Sequence, residues 1–410
     1  MSDLTVQQVD ESLTRVIKWV QDHRYKAYEP ADGNSSTLFP LTRGRVLPMR
    51  ILQQLVLRSP FNVRPVIGVV PHESAIGRAY MAWGYLTMCR SAASSAILDE
   101  AVSCLAWLVM HRAQGQDEFC WGDPYHYATR SGRRPLGAPI LIWTALIGQV
   151  FLDAFEVLGN TQYLRVAESV GRWIFSLPKE ETECGCCLSY NAYKQESIHN
   201  SNAMGAAFLA RLGAMTANNK ATSLARRAMT YTCARQRPDG AWFYGEESKY
   251  HWCDNFHTGY NICALKTYRD ALGDHSVDFP LSHGLKFFKA NFFDEDGRPK
   301  YFHDCLYPID IQCAAQAVDT LVSVSDGDPA SFELALKVAD WTIRNMQATD
   351  GHFNYRQLKR MAVTTPMLHW GQGTMVKALA IASHKLRAAR PRIDSPPWPS
   401  EGRITASIAE

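Results

Sequence analysis

A carboxylate, an amide, an imidazole and a phenol fall within seven residues at Asp254, Asn255, His257 and Tyr260. A carboxylate three residues before an imidazole can orient it, and an oriented imidazole is a proton-transfer group. Asp310 and His369 offer a second carboxylate and a second imidazole. Paired carboxylates about 5 to 9 Å apart would suit glycoside hydrolysis, with Asp254 and Asp310 the preferred pair. A base beside a sugar carboxylate would instead suit elimination or epimerisation, with His257 or Tyr260 removing the proton. Each aspartate would equally serve as a helix N-cap, and His257 as a hydrogen-bonded core residue.

These side chains need elements that bring distant segments together. Ile262, Ala264, Leu265 and Tyr268 have helical spacing, so the 254–260 cluster lies where a loop enters a helix. Helix entrances expose free N–H groups and the positive dipole end, which favour anionic or hydroxyl-rich ligands. Similar clusters occur at His72-Glu73-Ser74, Pro135 to Pro139, His199 to Asn202, Tyr307 to Asp310 and His369 to Gln372. Their spacing of roughly 53 to 65 residues fits two helices and two connections each. Each is followed by an apolar helix rich in small residues and then by a more charged amphipathic one, which makes six hairpins. The spacing predicts helices at about 6–19, 47–57, 74–89, 97–111, 140–157, 162–175, 203–214 and 373–387. Ser201 or Asn202 is expected to cap the helix that begins at Ala203.

A non-repetitive insertion runs from Phe119 to Arg130. Gly122, Pro124 and its aromatic residues favour an ordered loop. Trp121, Asp123, Tyr125 and Arg130 are candidate substrate contacts, because flat rings stack on sugar or isoprenoid faces. The alternative is that Trp121 and Tyr125 plug an apolar rim. His199, Asn200, Asn202, Trp252, Asn255, Tyr307, Trp370 and Gln372 complete the candidate binding set, with the amides aimed at hydroxyls. Cys184-Gly185-Cys186-Cys187 lacks a nearby second ligand pair, so it is read as a loop with incidental thiols. His303-Asp304-Cys305 is read the same way, and neither a metal nor a cofactor is expected.

A chain of 410 residues, 46% hydrophobic and 20% charged, can bury a large core. The continuous repeat favours one domain over residues 1–387, followed by a proline-rich extension over 388–410 in which Trp398 is a candidate anchor. The formal net charge is +3 and the basic residues are scattered along the chain, which suggests neither nucleic acid nor an anionic membrane as partner. No membrane span or signal segment is read. Eleven cysteines, an odd number, several on apolar helix faces, point to a reducing compartment and a cytoplasmic protein. A homodimer and a biosynthetic complex are both compatible with this composition.

Two turns share the frame Gln-x-x-Asp-Gly-x-aromatic: Gln236 to Trp242 and Gln347 to Phe353. Asp294-Glu295-Asp296-Gly297 is a relative. They resemble the glutamine-tryptophan repeats of squalene cyclases and the equivalent turns of other six-hairpin toroids. Taken with Cys120-Trp121-Gly122, Trp252 to Tyr260, Phe293 to Tyr301, Leu306 to Asp310 and His369 to Gln372, the chain resembles a bacterial and archaeal toroid family associated with extracellular-polysaccharide biosynthesis. Its members are labelled prenyltransferase-like or glycosidase-like. The resemblance spans most of residues 60 to 385 and implies an all-α (α/α)6 toroid of inner and outer helix rings. Its clusters would then converge on one pocket.

The resulting expectation is a carbohydrate-active enzyme, a hydrolase, lyase or epimerase, acting on a glycan or uronic-acid-containing saccharide. Asp254, His257, Asp310, His369 and Tyr260 would be its catalytic groups. The alternative is a terpenoid cyclase or prenyltransferase-like enzyme. That chemistry wants an Asp-x-Asp-Asp acid, which the sequence lacks, or an aspartate-rich magnesium motif, for which Asp294-Glu295-Asp296 is the one aspartate-containing dense acidic run. A zinc prenyltransferase would need a set such as Asp254, Cys305 and His369 from separate hairpins. A second alternative is a glycan-binding protein without catalysis.

Overall fold

The computed structural model describes residues 4–91 and 94–389. Its helices are α1 (Val6–Asp22), α2 (Val46–Arg58), α3 (Ala75–Ser91), α4 (Ser95–Met110), α5 (Leu141–Leu158), α6 (Thr161–Ser176), α7 (His199–Thr216), α8 (Asn219–Ala234), α9 (Asn255–Leu272), α10 (Asp278–Asn291), α11 (Ile311–Ser323), α12 (Pro329–Met346) and α13 (Thr374–Ala388). Helices α3, α5, α7, α9, α11 and α13 pack in that order, and α13 returns to α3. This is the inner ring. Its members are buried nearly all round: in α7, 14 of 18 residues are buried. Small residues allow the close approach. A Cβ on Gly148 of α5 would stand 2.6 Å from the Phe208 ring of α7.

The outer helices bury a single stripe instead. In α6, Val166, Val170, Trp173 and Ile174 face inward at helical spacing. The sequence places α1 first among the outer helices, and it packs against α13, the last inner one, closing the toroid. Helix α2 belongs to neither ring. Helix α5 is long and apolar enough to cross a membrane by composition, with mean hydropathy 1.6, yet it stands in the inner ring with most of its length buried.

The two Gln-x-x-Asp-Gly turns fasten neighbouring outer helices. Gln236, at the end of α8, donates to the Gly240 carbonyl and to Pro280 of α10. Gln347, at the end of α12, donates to Gly351 and to Ser12 of α1. Gly240 and Gly351 have φ of 93° and 107°, a region that side chains disfavour.

A belt of short bridges links the loops ahead of the inner helices: Tyr28 with Met367, Ile140 with Asn191, Ile198 with Gly245, and Asp254 with Phe302. Strand β5 (Ile309–Asp310) pairs with β6 (Arg356–Gln357), which pairs with β7 (Ala362–Val363). The belt gathers the inner-helix N-termini at one end of the toroid.

The insertion is more regular than a loop. It ends in a hairpin of β1 (Tyr127–Thr129) and β2 (Gly132–Arg134). Cys184 to Cys187 likewise lies in a hairpin, β3 (Lys179–Thr182) with β4 (Gly185–Leu188). Helix α7 starts at His199 with Ile198 as its cap residue, and no side chain caps it. This corrects the expected cap at Ser201 or Asn202: Asn202 is drawn into the wall, where it bonds Leu188, Ala228 and Thr232. Helix α13 is preceded by a π-helical turn over Leu368–Gly373, a widening that often marks functional sites. Trp398 and nearly all of the 388–410 extension lie outside the described residues.

Candidate active site

Asp254 caps α9: its Oδ1 accepts the backbone N–H of His257 at 3.0 Å. Its Oδ2 accepts the His257 Nδ1–H at 2.7 Å and the Trp252 indole N–H at 3.0 Å. The carboxylate is buried while the imidazole keeps 20% side-chain exposure. Since an ionised carboxylate only accepts, the contact places the proton on Nδ1 and leaves the Nε2 lone pair free. No protein group among the described residues bonds Nε2. The cap and the orienting partner are one side chain. Tyr244 and Phe256 pack on the His257 ring at 4.5 and 3.9 Å between centroids, and Tyr244 stacks on Trp252 at 4.6 Å.

Asp310 repeats the design at α11. It caps the helix through the Gln312 N–H, accepts the Trp370 indole N–H at 2.8 Å, and is bound by the Arg356 guanidinium. The carboxylate is fully buried and accepts from all three of these donors. Trp370 in turn meets Phe256 edge-on at 5.2 Å. That contact joins the Asp254–His257 pair to Asp310 across sequence-distant hairpins.

His369 lies beside Trp370, its ring stacked on Tyr80 and edge-on to Trp143. Burial pushes its pKa down to about 3, so the imidazole is neutral. Its backbone N–H donates to Glu29 Oε1 at 2.9 Å, and Ser74 donates to the same oxygen at 2.8 Å. Glu29 is fully buried, and desolvation raises its pKa to about 8. Tyr260 lies inside the ring, with its hydroxyl bonded to Tyr80 at 2.8 Å and to Gln312 at 3.1 Å. Burial raises its pKa, so this phenol stays protonated at neutral pH and is no base.

The other candidates divide. Trp252, Asn255 and Trp370 lie near His257: Trp252 shares the Asp254 carboxylate with it, Asn255 opens the same helix, and Trp370 packs on Phe256. Asn200 instead lies in the first turn of α7, and Tyr307 shortly precedes β5. Tyr125 is buried, its ring edge-on to His72 and stacked on Tyr127. Arg130 lies at the rim with its guanidinium 5.2 Å over the Trp252 ring. Trp121 does not reach the site: it fills the wall against Phe151 and donates to the Leu108 carbonyl. Asp123 forms a buried ion pair with Arg134. His199 bonds the Phe243 carbonyl and the Glu246 carboxylate, which that contact helps to hold at a pKa of about 2. Gln372 is consumed by both backbone groups of Phe353.

Glu29, Tyr80 and Arg356 were not visible as site residues. Glu29 and His369 are 340 residues apart and meet because the ring closes. No spacing carries that signal.

The fold is an (α/α)6 toroid. Among solved structures, an unsaturated glucuronyl hydrolase specific for heparin superposes with a TM-score of 0.61 at 12% identity, covering 92% of this chain and 96% of that one. A GH76 alpha-mannanase from Bacteroides thetaiotaomicron gives 0.58 at 12%, over 76% and 86% of the two chains. A cellobiose 2-epimerase from Bacillus thermoamylovorans gives 0.59 at 10%, over 76% and 88%. At these identities the likeness is one of fold. No protein-family profile and no curated protein sequence matches the chain.

Proposed function

We propose that this protein is a carbohydrate-active enzyme that epimerises or isomerises the reducing end of a neutral saccharide, with His257 removing the proton next to the carbonyl. The observation that carries this reading is the 2.7 Å bond from His257 to Asp254, which leaves a free imidazole nitrogen at a partly open position. Return of the proton to the opposite face of the same carbon gives the epimer, and return to the neighbouring carbon gives the isomer. His369, neutral through burial, is the second imidazole assigned to this transfer. Trp252, Tyr244 and Trp370 supply ring faces, and Asn200 and Asn255 keep buried side-chain atoms without a protein partner. Such atoms need hydrogen bonds that sugar hydroxyls can provide.

Neutrality of the sugar rests on charge. The buried and partly buried arginines around this end are each matched by a carboxylate: Arg64 with Asp32, Arg78 with Glu73, Arg134 with Asp123, and Arg356 with Asp310. A uronate carboxylate at the reacting centre would find no free buried cation there among the described residues. Hydrolysis is the second reading, favoured by one observation: Glu29 is protonated at neutral pH, as a general acid must be. Asp254 and Asp310, the sequence's preferred carboxylate pair, are both saturated with donors. The polysaccharide-biosynthesis setting is supported by the resemblance of the turn motifs.

The test is incubation of the full chain with reducing disaccharides in D2O, followed by NMR of the recovered sugar. Deuterium at the carbon next to the carbonyl is expected, lost in His257→Ala by roughly 10²- to 10⁴-fold, the usual worth of a general base. New reducing ends without carbon-bound deuterium would replace this reading with hydrolysis.

A further inference from the structure

Helix α2 and its flanking loops form an apolar face that none of the described residues covers. Met49, Gln53 and Val56 turn inward and are buried. On the opposite side Leu47, Ile51 and Leu55 form a row one turn apart, exposed to 69%, 53% and 64%. Leu41, Phe61 and Val66 extend the surface at its borders and are likewise exposed. An apolar patch of this extent on a soluble protein marks an interaction site.

The face also has a charge. From Gly33 to His72 the sequence contains no Asp or Glu. Its arginines are Arg43, Arg45, Arg50, Arg58 and Arg64. Arg64 is buried and paired with Asp32. The other four make no ion pair among the described residues, Arg58 reaching only Gln54. Basic residues are about as dense here as elsewhere in the chain, but with no acidic residue in the stretch four of these arginines are left without an ion-pair partner among the described residues.

We propose that this face docks on an anionic lipid surface. Protruding aliphatic side chains rimmed by arginines match an interfacial helix, whose apolar row enters the acyl boundary while long cationic side chains reach the headgroups. A second copy of the chain is a poorer occupant. A two-fold contact would lay the patch on itself and bring four unpaired guanidiniums towards their own copies. Apart from Phe61 at its border the patch is aliphatic, without the Trp and Tyr anchors typical of protein interfaces.

Docking here would set one side of the toroid's open end against the surface. The link is the β1–β2 hairpin: the Ala128 backbone N–H donates to Gln53 of α2 at 3.1 Å, and the Arg133 guanidinium lies against Gly44. The proposal does not depend on which sugar reaction is catalysed.

The experiment is flotation of the full chain with phosphatidylcholine vesicles, with and without phosphatidylserine. Binding to the serine-containing vesicles alone is expected, weakened by salt. The combined Arg43→Glu, Arg45→Glu, Arg50→Glu and Arg58→Glu variant should bind on the order of 1000-fold more weakly, from the usual worth of a basic residue at an anionic surface. Leu47→Ser with Ile51→Ser and Leu55→Ser should abolish binding while leaving circular dichroism unchanged, since these side chains are solvent-facing. Failure to float with anionic vesicles, or flotation indifferent to both variants, would overturn the proposal. So would a dimer in sedimentation that the serine variant splits, which would assign the face to self-association.

Discussion

Glu29 is the carboxylate whose removal has the most predictable consequence. It is fully buried, accepts bonds from Ser74 and the His369 backbone, and is raised to about 8 by desolvation. In the unfolded chain it titrates near 4.5. A carboxyl whose folded pKa is raised contributes stability that is whole below the unfolded pKa and is lost as pH climbs through the folded pKa. The window therefore runs from about 4.5 to about 8. A shift of this size corresponds to on the order of 5 kcal/mol. Glu29→Gln keeps an acceptor for Ser74 and His369 but has no charge to bury. Its melting temperature relative to the parent should therefore rise with pH across that window, by roughly 5 °C for a chain of this length. The assay is thermal unfolding of both proteins at pH 5, 6, 7 and 8.5. His369, whose lowered pKa acts in the opposite sense below neutrality, is present in both and cancels in the difference. A difference constant between pH 5 and 8.5 would show that Glu29 ionises normally and would refute the desolvation argument.

Two further outcomes test the architecture and the division of the aromatic residues. Gly351→Ala should cost about 2 to 4 kcal/mol in chemical denaturation, because its Cβ would lie 2.6 Å from the Arg15 carbonyl oxygen at φ 107°; Gly115→Ala, with positive φ but open space, should cost about 1 to 2 kcal/mol. Trp121→Ala should cost about 3 to 5 kcal/mol of stability with KM of the folded enzyme unchanged, whereas Trp252→Phe should hold stability and lower kcat by removing the indole donor from Asp254, as steady-state kinetics would show.

The motifs pointed correctly to helix entrances because capping is a local matter. Asp254 and Asp310 each bond an N–H two or three residues ahead, and a sequence displays that relation directly. The Asp254–His257 pair is local for the same reason. The candidates in the 119–130 insertion were harder to sort. An indole in a core wall and one on a sugar platform look identical in sequence, and Trp121 took the first role, Trp252 a place on the belt. Asn202 and Gln372 were similarly claimed by backbone groups of neighbouring elements, partners that no local window contains.

Apolar periodicity, the recurring clusters and the Asp-Gly turns by themselves determined that the chain forms hairpins of helices with an apolar inner set and an amphipathic outer set. These are properties of residues within a few turns of one another. Ring closure decided the rest. It placed Glu29 under His369, set Trp370 between Asp310 and Phe256, and packed α1 onto α13. It also turned a stretch of chain without acidic residues into one exposed, cationic, apolar face. Burial and charge pairing depend on which surfaces meet, and in a closed toroid the first and last helices meet across nearly the whole length of the chain.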